Sequence, residues 1–218
     1  DLQIAAWLAE ALVKTRGFEG LIEGLKLIGG LLSGFWEGLY PGIEDGDLEF
    51  RAAPLEFANA TLGFIIREIP LTDPRTTPGY SWIKWQESRT IGYEESAKDK
   101  AAREEMIADG KIPAEVFDGA VARSSKEFYI GLADRIGEGR AVFASLDAIV
   151  DERFGGDAPM ISEIDKALAD CERVVSGILK EKRAGEPDET AEAPPKEAME
   201  APGRSEEHTS ELQSPNTI

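Results

Sequence analysis

From Tyr129 to Phe154 apolar residues return every three or four positions without a break, at Leu132, Ile136, Phe143, Leu146 and Val150, with Gly139 in register. That spacing lays one side of a 3.6-residue helix against a core. Gly155 and Gly156 stop the series. After a short turn Ile164, Leu168, Cys171, Val175, Ile178 and Lys182 repeat the same step. Two stripes of equal period joined by a short turn fit an antiparallel hairpin of residues 125–154 and 161–182. No segment alternates with period two over a convincing length, so a sheet has no support. The fold class that follows is all-α: a helical bundle with a long ordered loop excursion and a C-terminal antiparallel helical hairpin.

The first half reads as helices too. In residues 1–16, Ile4, Leu8 and Leu12 run down one side with Trp7, and Gly17 is placed to end the helix in a left-handed conformation. A second helix starts at once, with Leu21, Leu25, Ile28, Leu32, Phe35 and Leu39 as its stripe and Pro41–Gly42 as its stop. Gly20, Gly24, Gly34 and Gly38 each cost up to about 1 kcal/mol of helix propensity against alanine. Close approach of another backbone is therefore expected at each. The aromatic run "SGFWEGLYPGIED" raises the choice between a ligand pocket and a buried helix end. Since Phe35, Trp36, Leu39 and Tyr40 lie on or beside the stripe, burial accounts for them.

Residues 51–66 read as a third helix, with Pro54 in its first turn and Leu55, Ala58, Leu62 and Ile65 or Ile66 inward. Pro70, Pro74, Pro78 and Gly79 forbid a continuous helix beyond it. Residues 70–93 are therefore expected to be an ordered excursion carrying Tyr80, Trp82 and Trp85. A short helix starts at Pro113, and Ser124 with Glu127 has capping-box spacing.

Composition changes after Arg183. Residues 184–203, "AGEPDETAEAPPKEAMEAPG", hold four prolines, six acids and one lysine, the make-up of an acidic Pro-rich linker. The last stretch, "RSEEHTSELQSPNTI", back-translates from Arg204 to Ser214 into what looks like a sequencing-library adapter read in frame. Residues 204–218 are accordingly expected to be an adapter-derived artefact, and His208, the only histidine, goes with them. The chain opens on Asp1 inside a helical pattern, so it reads as a fragment cut at both ends, and a missing signal peptide carries little weight. What remains is one domain, residues 1–183.

The whole chain has 24 basic and 42 acidic residues, a formal charge of −18. A nucleic-acid partner needs a basic surface that releases counterions from phosphates, which this field opposes. Anionic membrane surfaces are disfavoured by the same sign. The longest apolar stretches, such as "GLKLIGGLLSGFW", are broken by glycines and Lys26 and fall short of the roughly 20 residues that span a bilayer. Cys171 is the one cysteine, so no intramolecular disulfide forms. Its helical neighbours Leu168, Val174 and Val175 make it a buried small hydrophobe. Without a native histidine there is no Cys-His or Ser-His pair to assemble.

Acidic pairs are the remaining chemistry. Glu44, Asp45 and Asp47, or Glu94 and Glu95, could do acid–base work or hold Ca²⁺, but "IEDGDLE" lacks the alternation and the sixth-position glycine of an EF-hand. "GEGRAVF" from Gly137 is a partial G-x-G in mid-helix rather than after a strand, so it fails as a dinucleotide loop. No catalytic, cofactor-binding or metal-ligating residue is assigned.

Residues 5–41, "AAWLAEALVKTRGFEGLIEGLKLIGGLLSGFWEGLYP", resemble the ImpA/TssA N-terminal domain of bacterial type VI secretion systems. The likeness rests on the A-x-W-L-x-E-A-L pattern carried by Trp7–Leu12, G-F-x-G-L at Gly17–Leu21 and the aromatic-W run Phe35–Pro41. "RAAPLEFANATLGFIIREIPLT", "GYSWIKWQ" and "APMISEIDKAL" are similar to later family segments, so the resemblance spans roughly residues 1–182. It implies a cytoplasmic, non-enzymatic component acting in baseplate and sheath assembly through other type VI secretion proteins. No nucleic acid, membrane insertion or cofactor is implied. Ring formation, in the family, is attributed to the C-terminal region. The alternative from the residues alone is an acid–base hydrolase using two carboxylates, which would need a carboxyl pKa above about 6 in a cleft.

Overall fold

Gly17 sets the first step of the fold. At φ 59° and ψ −133° it holds a backbone conformation closed to side-chain-bearing residues, and it breaks α1 (Leu2–Gly34) into two arms, 2–16 and 18–34. The arms close on each other. A β-carbon at Gly20 would lie 2.0 Å from the Leu12 carbonyl oxygen, and one at Gly24 would lie 2.6 Å from the Ala9 β-carbon and 2.9 Å from its α-carbon. Two of the four glycines thus do admit a neighbouring backbone. Gly34 and Gly38 face open space instead, and they sit where the helix gives out.

This close approach decides which side of the first arm is buried, and it is not the side with the large residues. Leu2, Ala5, Ala6, Ala9 and Val13 face inward, whereas Ile4, Trp7 and Leu8 face solvent. Only small side chains let the two backbones come so near, and the dispersion attraction between closely apposed backbones outweighs the burial of a few larger side chains. The expected inner side of residues 1–16 is corrected accordingly.

The computed structural model describes residues 1–97 and 99–186. Among them are seven α-helices and no strand, so the chain is all-α. After α1 come α2 (Glu49–Ile65), α3 (Trp82–Ile91), α4 (Lys100–Ala108), α5 (Ala114–Arg123), α6 (Lys126–Phe154) and α7 (Ser162–Gly185). The second arm of α1 lies parallel to α6. Glu19 pairs with Arg135, Lys26 with Glu138, and Arg153 donates to the Ser33 carbonyl, the numbers rising together. α2 runs parallel to α7 in the same way, through Asn59 with the Met160 carbonyl and the Glu163 amide, then Arg67 with Asp170 at 3.0 Å.

α6 and α7 form the expected hairpin, and all eight residues of the first stripe, from Tyr129 to Phe154, are buried. Leu21, Leu25, Ile28 and Leu32 of α1 and Leu55, Ala58, Leu62, Ile65 and Ile66 around α2 complete one core. The capping box shifts by one residue. Ser125 caps α6, its hydroxyl accepting from the Phe128 amide at 3.1 Å, while Ser124 is buried, accepting from the Asp73 amide and donating to the Ala120 carbonyl.

The excursion is ordered but not all loop. Residues 70–81 wind through the prolines, with Thr72 and Asp73 buried; α3 then begins at Trp82, once no proline remains to block it. α4 falls where no apolar stripe announces a helix; its N-terminus is capped by Asp99, which accepts from the Ala102 amide. The described residues pack as one unit. α7 runs through Ala184 and Gly185, two residues into the segment read as linker; residues 187–203 of that segment and the expected artefact 204–218 lie outside the described residues. No described helix is long and apolar enough to cross a membrane.

Candidate functional site

The aromatic run forms a corner between α1 and α2. α1 ends at Gly34, seven residues before Pro41, and a tight 3₁₀ turn, Trp36–Gly38, follows before Leu39 extends. What holds the corner is Arg51, in the first turn of α2 and only 1% exposed. Its Nε donates to the Pro41 carbonyl at 2.9 Å, one Nη to that of Trp36 at 2.7 Å and the other to that of Leu39. The guanidinium also lies 4.5 Å from the centre of the Trp36 ring. A planar fork with five donors suits three fixed carbonyls better than any other side chain. Carbonyls committed to Arg51 are not free for a helical ladder, and the flanking glycines weaken that ladder further; hence the early stop. Burial pulls the Arg51 pKa below its ordinary value, and the Glu37 charge opposes that. The start of α1 joins the same corner: the Leu2 amide donates to the Tyr40 carbonyl at 3.0 Å, and the Tyr40 amide to Asp1 Oδ2 at 3.1 Å.

The four aromatic and apolar residues of the run therefore part company. Leu39 is buried. Trp36 is half-buried, edge-on to Phe154 with centroids 5.1 Å apart. Phe35 and Tyr40 are 66% and 69% exposed, because the helical stripe stops governing side-chain direction once the helix ends. The expectation that all four are core is corrected for these two. Beside them opens a cavity of about 540 Å³ lined by Asp1, Leu31, Phe35, Trp36, Glu37 and Arg153 among others. Its Arg153 is engaged with the Ser33 carbonyl, and the cavity holds no nucleophile set beside a base.

A second cleft, about 570 Å³, lies among α3, α5 and α7. In it Arg89 grips Asp118 with two guanidinium nitrogens, and the Tyr93 hydroxyl donates to the same carboxylate. Burial alone would raise the Asp118 pKa, but the bonds from Arg89 and Tyr93 and the Arg89 charge outweigh it, leaving it below the ordinary value. Such a carboxylate is a structural anion, not a proton donor at neutral pH. Asp73 is likewise held low, chiefly by its bonds from Arg75. Asp147 is raised, by burial and then by Asp151 and Asp165, but it lines neither cleft. The two-carboxylate hydrolase is not favoured by this arrangement.

The remaining sequence candidates are dispersed. Glu44, Asp45 and Asp47 are exposed in the turn before α2, where Asp47 accepts from the Glu49 amide at 2.8 Å. Glu94 and Glu95 are exposed in the turn after α3. Among the described residues no group of three or more His, Cys, Asp or Glu is arranged to hold a metal ion. Cys171 is buried against the Ile66 carbonyl, and burial pushes its thiol up to about 12. Gly137 and Gly139 lie inside α6, and His208 is outside the described residues. Sequence reasoning does not single out Arg51, though it opens the quoted "RAAPLEF" segment. Its signal is a basic residue between Phe50 and Ala52 in the first turn, where the residues after it are apolar up to Glu56.

Comparison with known proteins places this corner in context. Residues 1–60, which span α1, the corner and Arg51, match the family described as ImpA, N-terminal, type VI secretion system. No curated protein matches. Among solved structures the chain is similar to an N-terminal domain, including the conserved ImpA_N region, of the TssA component of the type VI secretion system from Burkholderia cenocepacia. The match has 28% identity and a TM-score of 0.76 over 84% of this chain and 72% of that one. The resemblance read from Ala5–Pro41 is borne out by both, and its extension beyond residue 60 by the structural match alone.

Proposed function

We propose, from the premise that residues 1–186 fold as a TssA-like N-terminal domain, that this chain is a non-enzymatic assembly component of a bacterial type VI secretion system. One observation carries the reading: the matched residues are those that build the Arg51 corner, a feature made for rigidity rather than turnover. Three charge-assisted bonds to main-chain carbonyls fix the angle between α1 and α2, and the two clefts offer no group poised for acid–base or nucleophilic work. The partners on this reading are baseplate or sheath proteins of the same machine, met in the bacterial cytoplasm. On this reading the acidic segment 184–203 acts as the connection to an oligomer-forming region, and 204–218 is adapter-derived.

The chain, immobilised, is exposed to the purified baseplate and sheath proteins of the same secretion gene cluster. Retention of at least one of them at physiological salt is the expected result, with loss of sheath assembly in cells when the gene is deleted. Normal sheath assembly in the deletion strain, or turnover of ester or peptide substrates that Asp118→Asn abolishes, overturns the reading.

A further inference from the structure

α2 is apolar on both sides, and only one side is used by the core. Its inner face buries Leu55, Ala58 and Leu62. Directly opposite, Phe50, Phe57 and Phe64 recur at seven-residue steps and are 63%, 38% and 58% exposed. Seven residues are close to two helical turns, so the three rings form a straight row about 21 Å long. The first arm of α1 lies beside α2, with Val13 and Gly17 against Ile65 and Ile69. Both helices start at the corner, where Leu2 bonds the Tyr40 carbonyl and Arg51 those of residues 36, 39 and 41. Both end together, where a β-carbon at Gly17 would meet Ile69 at 3.3 Å. The two therefore run side by side in one direction, and the outward side of the first arm carries the exposed Ile4, Trp7 and Leu8.

Six large apolar side chains on adjacent helices, each leaving on the order of 100 Å² uncovered, make a surface of about 600 Å², the upper end of what a monomer tolerates. One partner in an ordinary specific complex contributes about 800 Å². The charge around it selects the occupant. The fixed charges on the outer side of α2 are Glu49 and Glu56, and neither forms an ion pair among the described residues. On the first arm Lys14 is held by Glu10, and Arg16 by Glu23. The whole chain stands at −18. A second copy would bring like charges together around the contact. A basic partner would not.

We propose that the outer faces of α2 and the first arm of α1 form a docking groove for an amphipathic helix of another protein, about four turns long, with an apolar seam flanked by Lys and Arg. This deepens the assembly reading and rests on it only for the occupant being a protein.

The probe is a labelled 16-residue amphipathic peptide with a Leu seam and Lys/Arg flanks, titrated into the full chain by fluorescence anisotropy, beside an isomer with Glu flanks. The basic peptide binds, salt weakens it, and the acidic isomer binds at least about tenfold more weakly. In the double variant Phe50→Glu, Phe64→Glu binding falls by about tenfold or more, while circular dichroism and melting temperature stay nearly unchanged, since both rings are mostly exposed. Equal binding of the two peptides, binding of neither, a dimer by light scattering that the double variant abolishes, or attachment to phosphatidylcholine vesicles would each overturn the proposal. Secretion-protein retention that survives the double variant removes this groove but leaves the assembly reading intact; loss of retention by the wild-type chain removes that reading itself.

Discussion

The α6–α7 hairpin and the α1–α2 corner are both well ordered, but they are held by opposite means. In the hairpin large side chains meet at regular helical steps, and order follows from the area they remove from water. At the corner a single buried cation supplies the order by gathering carbonyls that would otherwise be unpaired, and the two arms of α1 that lead into it meet through alanine and glycine. The hairpin is therefore tolerant of shape and intolerant of lost volume. The corner is the reverse, tolerant of neither added volume nor lost hydrogen bonds.

The largest effect should come from the cation. Arg51→Ala leaves three carbonyls without their donor and should cost about 4 kcal/mol in urea unfolding; Arg51→Lys, which keeps the charge but cannot reach three acceptors at once, should recover less than half. A loss under about 1 kcal/mol for Arg51→Ala would show that the corner is held by packing after all.

Next comes the hairpin. Leu146→Ala should cost about 3 kcal/mol through the cavity it leaves. Glu138→Ala, which breaks a half-exposed pair with Lys26, should change stability by under about 0.5 kcal/mol. Equal effects of the two would mean that the stripe faces the wrong way.

The two glycine classes sharpen the contrast further. Gly24→Ala forces a β-carbon against Ala9 and should destabilise by about 2 kcal/mol, whereas Gly34→Ala, with open space around it, should be neutral or stabilising by about 0.5 kcal/mol. Thermal melts of the pair decide it, and a stabilising Gly24→Ala would break the close-approach account.

The smallest effect is one of pH. Asp118 and Glu115 have folded-state pKa values below their ordinary ones. The stability they contribute is complete above the unfolded value near 4 and is lost as pH falls through the lower folded value. Arg51 bonds neutral carbonyls and is indifferent to that range. Hydrogen exchange between about pH 5 and 3 should therefore show α5 losing protection before α2 does; simultaneous loss would count against a separate acid-labile region.

The same contrast explains what can be read in advance. The hairpin is legible residue by residue from Tyr129 to Phe154, because burial by large side chains writes itself into spacing. The first arm misleads for the opposite reason: Ala5, Ala6 and Ala9 carry little hydrophobic signal, so Ile4, Trp7 and Leu8 take the inner face by default. In the sequence Pro41 marks the end of α1, because proline announces a stop locally; the true stop at Gly34 depends on carbonyls held by Arg51, a residue on the following helix. Trp82–Ile91 is hidden in an apparent loop because three upstream prolines dominate the reading of a window that the last of them, Pro78, does not reach. Of the candidate site, the aromatic run itself is visible. Its division into one buried, one half-buried and two exposed residues is not.

The parallel pairing of α1 with α6 and of α2 with α7 has a consequence in time. Lys26 meets Glu138 across 112 positions and Asn59 meets Met160 across 101. Neither pairing can form until the chain between them has been brought back on itself, at a closure cost of about 4 kcal/mol. Each hairpin, by contrast, closes over a few residues. Folding should therefore be slower than for a bundle of sequential antiparallel helices of this size. Ile22→Val, at the α1–α6 seam beside Gly139, should slow folding and leave the unfolding rate nearly unchanged. Stopped-flow rates for this variant test whether the joining of the distant halves is the step that sets the pace; a change confined to unfolding would place that joining after it.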